Sequence, residues 1–183
     1  MKRQVLPGIG PAAMERAGGK SLCLAAAVLV LMAQAVPRGP LEGVWKVTEI
    51  ATGSNAPSPG SPPPSVYIFA RVHYSILRVA GSGARTLFAA PQPTGAEKLA
   101  AYDTFVATSG TYELSGTTLI TRPIVAKNPN LMGGGTETFQ CRLEGDTLWL
   151  TLKSTDTRIR LGDRIEPVAG PATETRFKLA RIE

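Results

Sequence analysis

The residues best suited to chemistry lie around the single histidine of this sequence. His73 and Ser75 are two positions apart on a predicted strand, so their side chains share a face and can touch. With Tyr74 they suggest acid–base or nucleophilic chemistry, which needs a nucleophile, a base and an orienting group within reach. No Gly-x-Ser-x-Gly turn surrounds Ser75, and no second titratable partner is in sight. A structural role is favoured over catalysis, and no enzyme is predicted.

Other residues with chemical potential have simpler explanations. Glu144 and Asp146 flank Gly145 in a turn, where Gly and Asp serve the backbone geometry. The run Gly133–Gly135 lacks both the Lys-Ser/Thr pair and the helix that follow a phosphate-binding loop. A metal site commonly needs three or four His or Cys ligands, and this sequence has too few of both. We therefore predict neither a metal nor a cofactor.

Turn signals recur along the sequence and separate short segments rich in Val, Ile, Thr, Tyr and Phe, which indicates an all-β sandwich or barrel. Two Gly-containing turns, at Ser115-Gly116 and Gly145-Asp146, predict tight hairpins. Alternating apolar residues assign inward faces, as for Leu148, Leu150 and Leu152. The eight predicted strands are Leu41–Ala51, Ser65–Arg71, His73–Ala80, Gly110–Leu114, Thr117–Val125, Thr136–Leu143, Thr147–Ser154 and Thr173–Ile182.

One short helix is predicted over Thr94–Val106, between the third and fourth strands. Thr94 and Glu97 form a capping-box pattern, and Leu99, Tyr102 and Val106 recur at helical spacing. Closing eight antiparallel strands in an up-and-down barrel removes the open edges that invite aggregation. The fold class predicted is therefore an all-β, eight-stranded antiparallel barrel with one helix.

The first 35 residues have the pattern of a cleaved signal peptide. Four basic residues stand against one acid in positions 1–20, and an uncharged apolar run follows from Leu22 to Met32. Ala33-Gln34-Ala35 matches the small-x-small cleavage pattern, and the apolar run is short for a membrane span. The expected organisation is a signal peptide over 1–35 and a barrel domain over 36–183, in the periplasm or secreted. Met14 is an alternative start.

Residues 36–183 contain little that favours nucleic-acid binding. Half of the formal charge of +6 belongs to the leader, and Asp156 and Asp163 interrupt the arginines near Arg160. We predict no nucleic-acid partner and no stable membrane span after cleavage. Cys141 is the one remaining thiol, so the mature monomer forms no internal disulfide and is expected to bury it.

Several short motifs together resemble the bacterial lipocalin-like domains, which are calycin-type barrels. Gly43-Val44-Trp45 opens the first strand as Gly-x-Trp does in lipocalins. Ser109-Gly110-Thr111-Tyr112 is similar to the strand after the helix in those domains, and Gly145-Asp146-Thr147-Leu148-Trp149-Leu150 to one of their hairpins. The resemblance covers roughly residues 41–183. It lacks the Thr-Asp-Tyr motif and the disulfide of true lipocalins.

The resemblance implies that Trp45 closes the base of the barrel next to Gly43, with a basic side chain from the last strand lying across it. Arg181 is the matching candidate and Arg176 the second. Family members of this type mostly lack an assigned function, so the resemblance implies a fold and a cavity without naming a ligand.

Two functions remain open at this stage. The first is an exported binding protein that holds a small apolar or amphipathic molecule in the barrel. The alternative is a structural or protein-interaction barrel with a filled interior, which would use the outward Trp149. The candidate ligand-binding residues are Tyr67, Phe69, His73, Tyr74, Arg78, Tyr112, Arg122 and Phe139.

Overall fold

The computed structural model describes residues 39–55, 61–81 and 85–183. The predicted signal peptide and its cleavage point lie outside the described residues. Within them the structure contains a helix, α1 (Gly95–Asp103), and a single 3-10 turn at Pro129–Leu131. The strands are β1 (Gly43–Thr52), β2 (Ser65–Phe69), β3 (His73–Val79), β4 (Phe105–Ser115), β5 (Thr118–Ala126), β6 (Thr136–Glu144), β7 (Thr147–Leu161), β8 (Arg164–Pro167) and β9 (Glu174–Arg181).

Eight of these strands close into an antiparallel barrel, as the sequence predicts. Strands β1 to β7 each pair with the next in order, and β9 lies between β7 and β1. Trp45 is opposite Arg181 where the first and last strands meet. Strand β8 pairs only with β7 and stands outside the closed ring. The architecture is compatible with a calycin-like fold.

The two predicted hairpins are present, and glycine makes each possible. Gly116 lies between β4 and β5 with φ of 58°, and Gly145 lies between β6 and β7 with φ of 55°. Side chains other than glycine rarely adopt this left-handed region. Between the turns, the period of two places Leu148 and Leu150 fully inside while Thr147 and Trp149 face outward.

The last third of the barrel differs from the prediction in strand length. Strand β7 continues to Leu161 instead of ending at Ser154, and the short β8 was not predicted. In the segment Thr155–Leu161 only Ile159 and Leu161 are apolar, so the apolar stripe that would mark a strand is short. Its backbone nevertheless pairs with β6 at Arg158 and with β8 from Arg158 to Leu161. Gly162, with φ of 61°, makes the turn between β7 and β8.

The helix is shorter than predicted and no residue in it is buried. The capping box is present, since the Thr94 backbone donates to the Glu97 carboxylate at 2.7 Å and Glu97 N donates to Thr94 Oγ1 at 3.2 Å. Helix α1 ends at Asp103, and Val106 instead belongs to β4, where it pairs with Arg78. The predicted apolar stripe is not a core face, because Leu99 is 60% and Tyr102 50% exposed.

One end of the barrel, which we call the base, is closed by Trp45 and Arg181. The Trp45 ring is fully buried, and its Nε1 donates to Leu41 O at 2.8 Å. The Arg181 guanidinium lies 4.1 Å from the Trp45 ring, donates to Glu42 O and to Pro40 O, and pairs with Asp146 at 3.2 Å. A cation over an indole adds about 0.5–2 kcal/mol.

Gly43 makes this closure sterically possible. It has φ of 141°, and a Cβ at this position would lie 2.7 Å from Arg181 Nη1 and would also collide with Glu183 O. The three residues that the resemblance placed at the base therefore lie together. Arg176, the second candidate, lies at the opposite end of β9, where it donates to Gly53 O. We call that opposite end, where β1 and β3 finish and α1 lies, the mouth.

Candidate ligand site in the barrel interior

Six of the eight candidate ligand residues face the interior, and two do not. Strand alternation turns His73 and Arg122 outward, because Tyr74 and Thr121 beside them are buried. His73 is exposed at the start of β3, and Arg122 pairs with Glu113 on the outer surface at 3.5 Å. Neither lines the interior. The six inward residues are Tyr67, Phe69, Tyr74, Arg78, Tyr112 and Phe139.

Aromatic side chains fill much of the interior above Trp45. Phe69 meets Tyr112 edge to face, with ring centroids 5.2 Å apart. The Tyr67 and Phe177 rings are 6.3 Å apart and tilted. These side chains belong to one apolar cluster that reaches from the base into the middle of the barrel. The base half of the interior is therefore packed, and any ligand site lies nearer the mouth.

Two opposite charges face this upper part of the interior. Arg78 follows Tyr74 and Ile76 on the inward face of β3, and its guanidinium lies 5.3 Å from the Phe177 ring. Glu137 stands two residues before Phe139 on the inward face of β6. The ion pairs within the described residues all lie elsewhere, so Arg78 and Glu137 are not within 4.0 Å of each other.

Buried hydroxyl groups lie beside these charges. Tyr74 Oη and Thr108 Oγ1 share a hydrogen bond of 2.8 Å, and Thr121 Oγ1 donates to the backbone oxygen of Glu137 at 3.4 Å. The sequence analysis missed Thr108, Thr121 and Glu137. The signal for Glu137 was its spacing from Phe139, which places both side chains on one face.

The environment shifts the titration of three of these groups. Burial raises the pKa of the Glu137 carboxyl above its usual value, and the Arg78 guanidinium opposes this only in part. Burial also raises the pKa of Tyr67, against the opposing charge of Arg78, and the pKa of Tyr74. The interior thus favours the neutral form of Glu137.

This shift predicts how stability depends on pH. Because the pKa of Glu137 is higher in the folded state, the protonated form of this carboxyl stabilises the fold. This contribution to the free energy of unfolding is complete below the unfolded pKa of about 4.3 and is lost as pH rises through the folded pKa. Wild-type stability should therefore fall as pH rises above that range, and Glu137→Gln should remove this part of the decline. Urea unfolding at a series of pH values measures the difference.

The control for this experiment is Glu113→Gln, since Glu113 is exposed on the outer surface beside Arg122. The groups that face Glu137 in the described interior are Arg78, Tyr67 and Tyr74. The tyrosines titrate only in the alkaline range, so they do not interfere near neutral pH. Parallel pH profiles for wild type and Glu137→Gln would contradict the assignment.

A depression of about 180 Å³ opens at the mouth between β7 and β9. Thr157 and Leu152 on its wall are the cross-strand partners of Glu137 and Phe139, and Thr175 shares the inward face of Phe177. A larger depression of about 450 Å³ lies at α1, against Leu87 and Phe88. Its only carboxylate, Glu97, is already engaged in the helix cap. Of these two depressions, the one at the mouth is therefore the one next to the inward-facing polar side chain of Glu137.

The other chemically capable residues stay apart from this site. No hydrogen bond joins His73 to Ser75 in the described part of the chain, and both lie on the outer face of β3. Glu144 pairs with Arg142 and Asp146 with Arg181. Burial raises the pKa of the Cys141 thiol to about 11, so its reactive thiolate is scarce at neutral pH. The expectation of a buried thiol is confirmed.

Residues 39–55, 61–81 and 85–183 contain no group of three or more His, Cys, Asp or Glu side chains placed to hold a metal ion. Over the same ranges, no helix has the length and apolar character needed to cross a membrane.

Comparison with known proteins gives no family assignment. No protein-family model matches this sequence, and no curated protein matches it. The functional interpretation therefore depends on the interior geometry itself.

Proposed function

We propose that this protein is an exported, lipocalin-like binding protein that holds a small amphipathic molecule at the mouth of its barrel. One observation carries the proposal: Arg78 and Glu137 face the interior without an ion-pair partner in the described part of the chain. The signal-peptide pattern supports a periplasmic or secreted location, and the closed barrel supports the lipocalin-like assignment.

Charges that face a protein interior are costly unless something compensates them. Removing a charged group from water costs several kcal/mol, and buried charges are normally paired and hydrogen-bonded. Here a side chain that only filled space, such as Leu or Met, would be less costly at either position. A bound molecule with its own polar group would compensate the charge of Arg78 and form a hydrogen bond with Glu137, which would account for the inward placement of both side chains.

The interior also supplies the apolar half of such a site. Phe139 and Phe177 are buried next to the polar groups, and Tyr67 lies close to both Phe177 and Arg78. Ligand sites in proteins are mostly apolar, with a few polar groups that fix orientation. The apolar part of the ligand would therefore contact these rings, while its polar part would meet Arg78 and Glu137.

The test is to narrow the mouth and to measure retention of ligand. Thr175→Trp adds bulk to the mouth depression, whereas Thr151→Trp adds the same bulk to the outer face of β7. Native mass spectrometry of protein from its own host should show a retained molecule, or a lipid panel should yield a binder. Thr175→Trp should weaken that binding by about tenfold or more, and Thr151→Trp should leave it unchanged.

The proposal would be overturned if the wild type retained no molecule and bound nothing in the panel. It would also fail if both tryptophan variants bound as well as the wild type, because the ligand would then lie elsewhere. Circular dichroism of each variant verifies that the barrel remains folded.

A filled barrel that serves protein interaction is the second candidate, and Trp149 favours it. This side chain faces outward and is only half-buried, with the Arg142 guanidinium 3.8 Å from its ring. Depressions of about 420 and 400 Å³ adjoin it on the two sides. Under this function, Trp149→Ala abolishes partner capture with the barrel intact, and no small molecule is retained.

A further inference from the structure

We propose that the polar group of the ligand is a single carboxylate, bound by the guanidinium of Arg78 with the Tyr67 hydroxyl as a second donor. This inference deepens the proposed function and rests on it. The geometry behind it is an inward-facing guanidinium without an ion pair in the described part of the chain, next to a buried hydroxyl.

Arg78 and Tyr67 lie side by side and have further donor capacity. Within the described ranges of the chain, Arg78 makes no ion pair, and its guanidinium lies over the Phe177 ring. Both the charge of Arg78 and a hydrogen bond from it act on the buried Tyr67 hydroxyl, which leaves the hydroxyl proton available to a ligand. A guanidinium has five N–H donors in a plane and no acceptor, so it can hold both oxygens of a carboxylate at once.

The charge balance favours a ligand with one negative charge. Arg78 is the only Lys or Arg that alternation turns inward near the mouth on the described strands of the closed barrel. Arg176 and Lys178 face outward, where they pair with Glu174 and Glu49. One cation compensates one carboxylate, whereas a dianion such as a phosphate monoester would leave an uncompensated charge beside Glu137.

Glu137 decides between an acid and an amine as the ligand. An ammonium group would need Glu137 ionised and would approach Arg78, whose charge is permanent. Burial instead favours the neutral form of Glu137, which repels no anion and can donate its own proton in a hydrogen bond. The anionic ligand is therefore favoured, and its binding should weaken as Glu137 ionises.

The experiment compares three probes that differ only in the polar group: dodecanoic acid, dodecanol and dodecylamine. Calorimetric titration of the wild type should show the acid bound about tenfold or more tightly than the alcohol, and the amine weakest. Arg78→Met should remove the preference for the acid while the alcohol still binds. Arg122→Met is the matched control on the outer surface and should behave as the wild type.

Two further variants test the guanidinium of Arg78 and the carboxyl of Glu137 separately. Arg78→Lys retains the positive charge without the planar guanidinium and should keep only part of the preference for the acid over the alcohol. This variant still tests the proposal if Arg78→Met fails to fold. Glu137→Gln should strengthen acid binding at pH values where Glu137 of the wild type is ionised, because the competing negative charge is gone, and should change it little at lower pH.

The outcomes separate this inference from the proposed function. Equal binding of acid and alcohol, or tightest binding of the amine, would overturn the carboxylate and leave a barrel that binds amphipathic molecules. An acid preference that survives Arg78→Met and Arg78→Lys would also overturn it. Failure of all three probes and of the wider lipid panel would remove the proposed function itself.

Discussion

Replacing Trp45 by alanine should lower the free energy of unfolding by about 3–5 kcal/mol, the range for truncating a large buried aromatic side chain. The ring is fully buried and its Nε1 donates to Leu41 O, so truncation leaves both a cavity and an unsatisfied carbonyl. Arg181 loses the ring beneath its guanidinium as well. Urea denaturation followed by circular dichroism measures the loss.

The sequence contains a matched control, because its only other tryptophan faces outward. Trp149→Ala removes the same side chain from a half-buried position on β7, where Arg142 covers one face. This variant should cost much less, about 1 kcal/mol or below, as for other surface side chains with modest packing. Equal losses for the two variants would show that Trp45 is not the closure of the base.

A difference of this size would show that Trp45 holds the first and last strands of the barrel together. Strands β1 and β9 meet at Trp45 and Arg181, and Val44 N donates to Glu183 O at 3.0 Å just beyond. With the base sealed, a ligand of the proposed function would enter the described barrel from the mouth, beside Arg78 and Glu137.

The sequence predicts the barrel well wherever one face of a strand is apolar and the other polar. Trp45 and Val47 alternate with exposed Lys46 and Thr48 in β1, and Phe177 and Leu179 alternate with Arg176 and Lys178 in β9. This contrast fixes the inward face because a shift of one residue would expose the whole apolar set. In strands with one apolar and one polar face, the side chains therefore point inward or outward as the sequence predicts.

Prediction fails where that contrast is missing. Segment Thr155–Leu161 has only two apolar residues, Ile159 and Leu161, so its strand is defined mainly by backbone pairing with β6 and β8. In β2 the opposite occurs, since outward Val66 and Ile68 are as apolar as inward Tyr67. The hydrophobic pattern is therefore weak in the first segment and does not identify the inward face in the second.

The same reasoning explains what could be predicted of the candidate site. Tyr67, Tyr74 and Arg78 were recognised by residue type, but only the closed barrel shows that they share the interior. His73 was included because it is chemically versatile, and the pleat turns it outward. Glu137 is absent from the residues predicted from the sequence, although its spacing from Phe139 places it inside.

The close contact of β4 with β5 at Gly110 leads to the last prediction. Gly110 lies at a register shift in β4, opposite Pro123 of β5. A Cβ on this residue would lie 2.8 Å from Ile124 N and would overlap Arg122 O, which are backbone atoms that no rotamer change can move. Gly110→Ala should therefore separate the two strands and cost about 1–3 kcal/mol or more, measured as a lower urea midpoint.

Gly95→Ala is the control for Gly110→Ala, because nothing lies within 4 Å of its added Cβ at the start of α1. This substitution should leave stability unchanged or raise it slightly, since alanine favours the helix over glycine.

The contact at Gly110 also lies beside Tyr74, its cross-strand partner in β3, and close to the hydroxyl pair of Tyr74 and Thr108. If the bulge positions this wall of the interior, Gly110→Ala should weaken acid binding along with stability, whereas Gly95→Ala should change neither. If Gly110→Ala had the same stability and acid binding as the wild type, β4 and β5 would have to lie farther apart than in the structure.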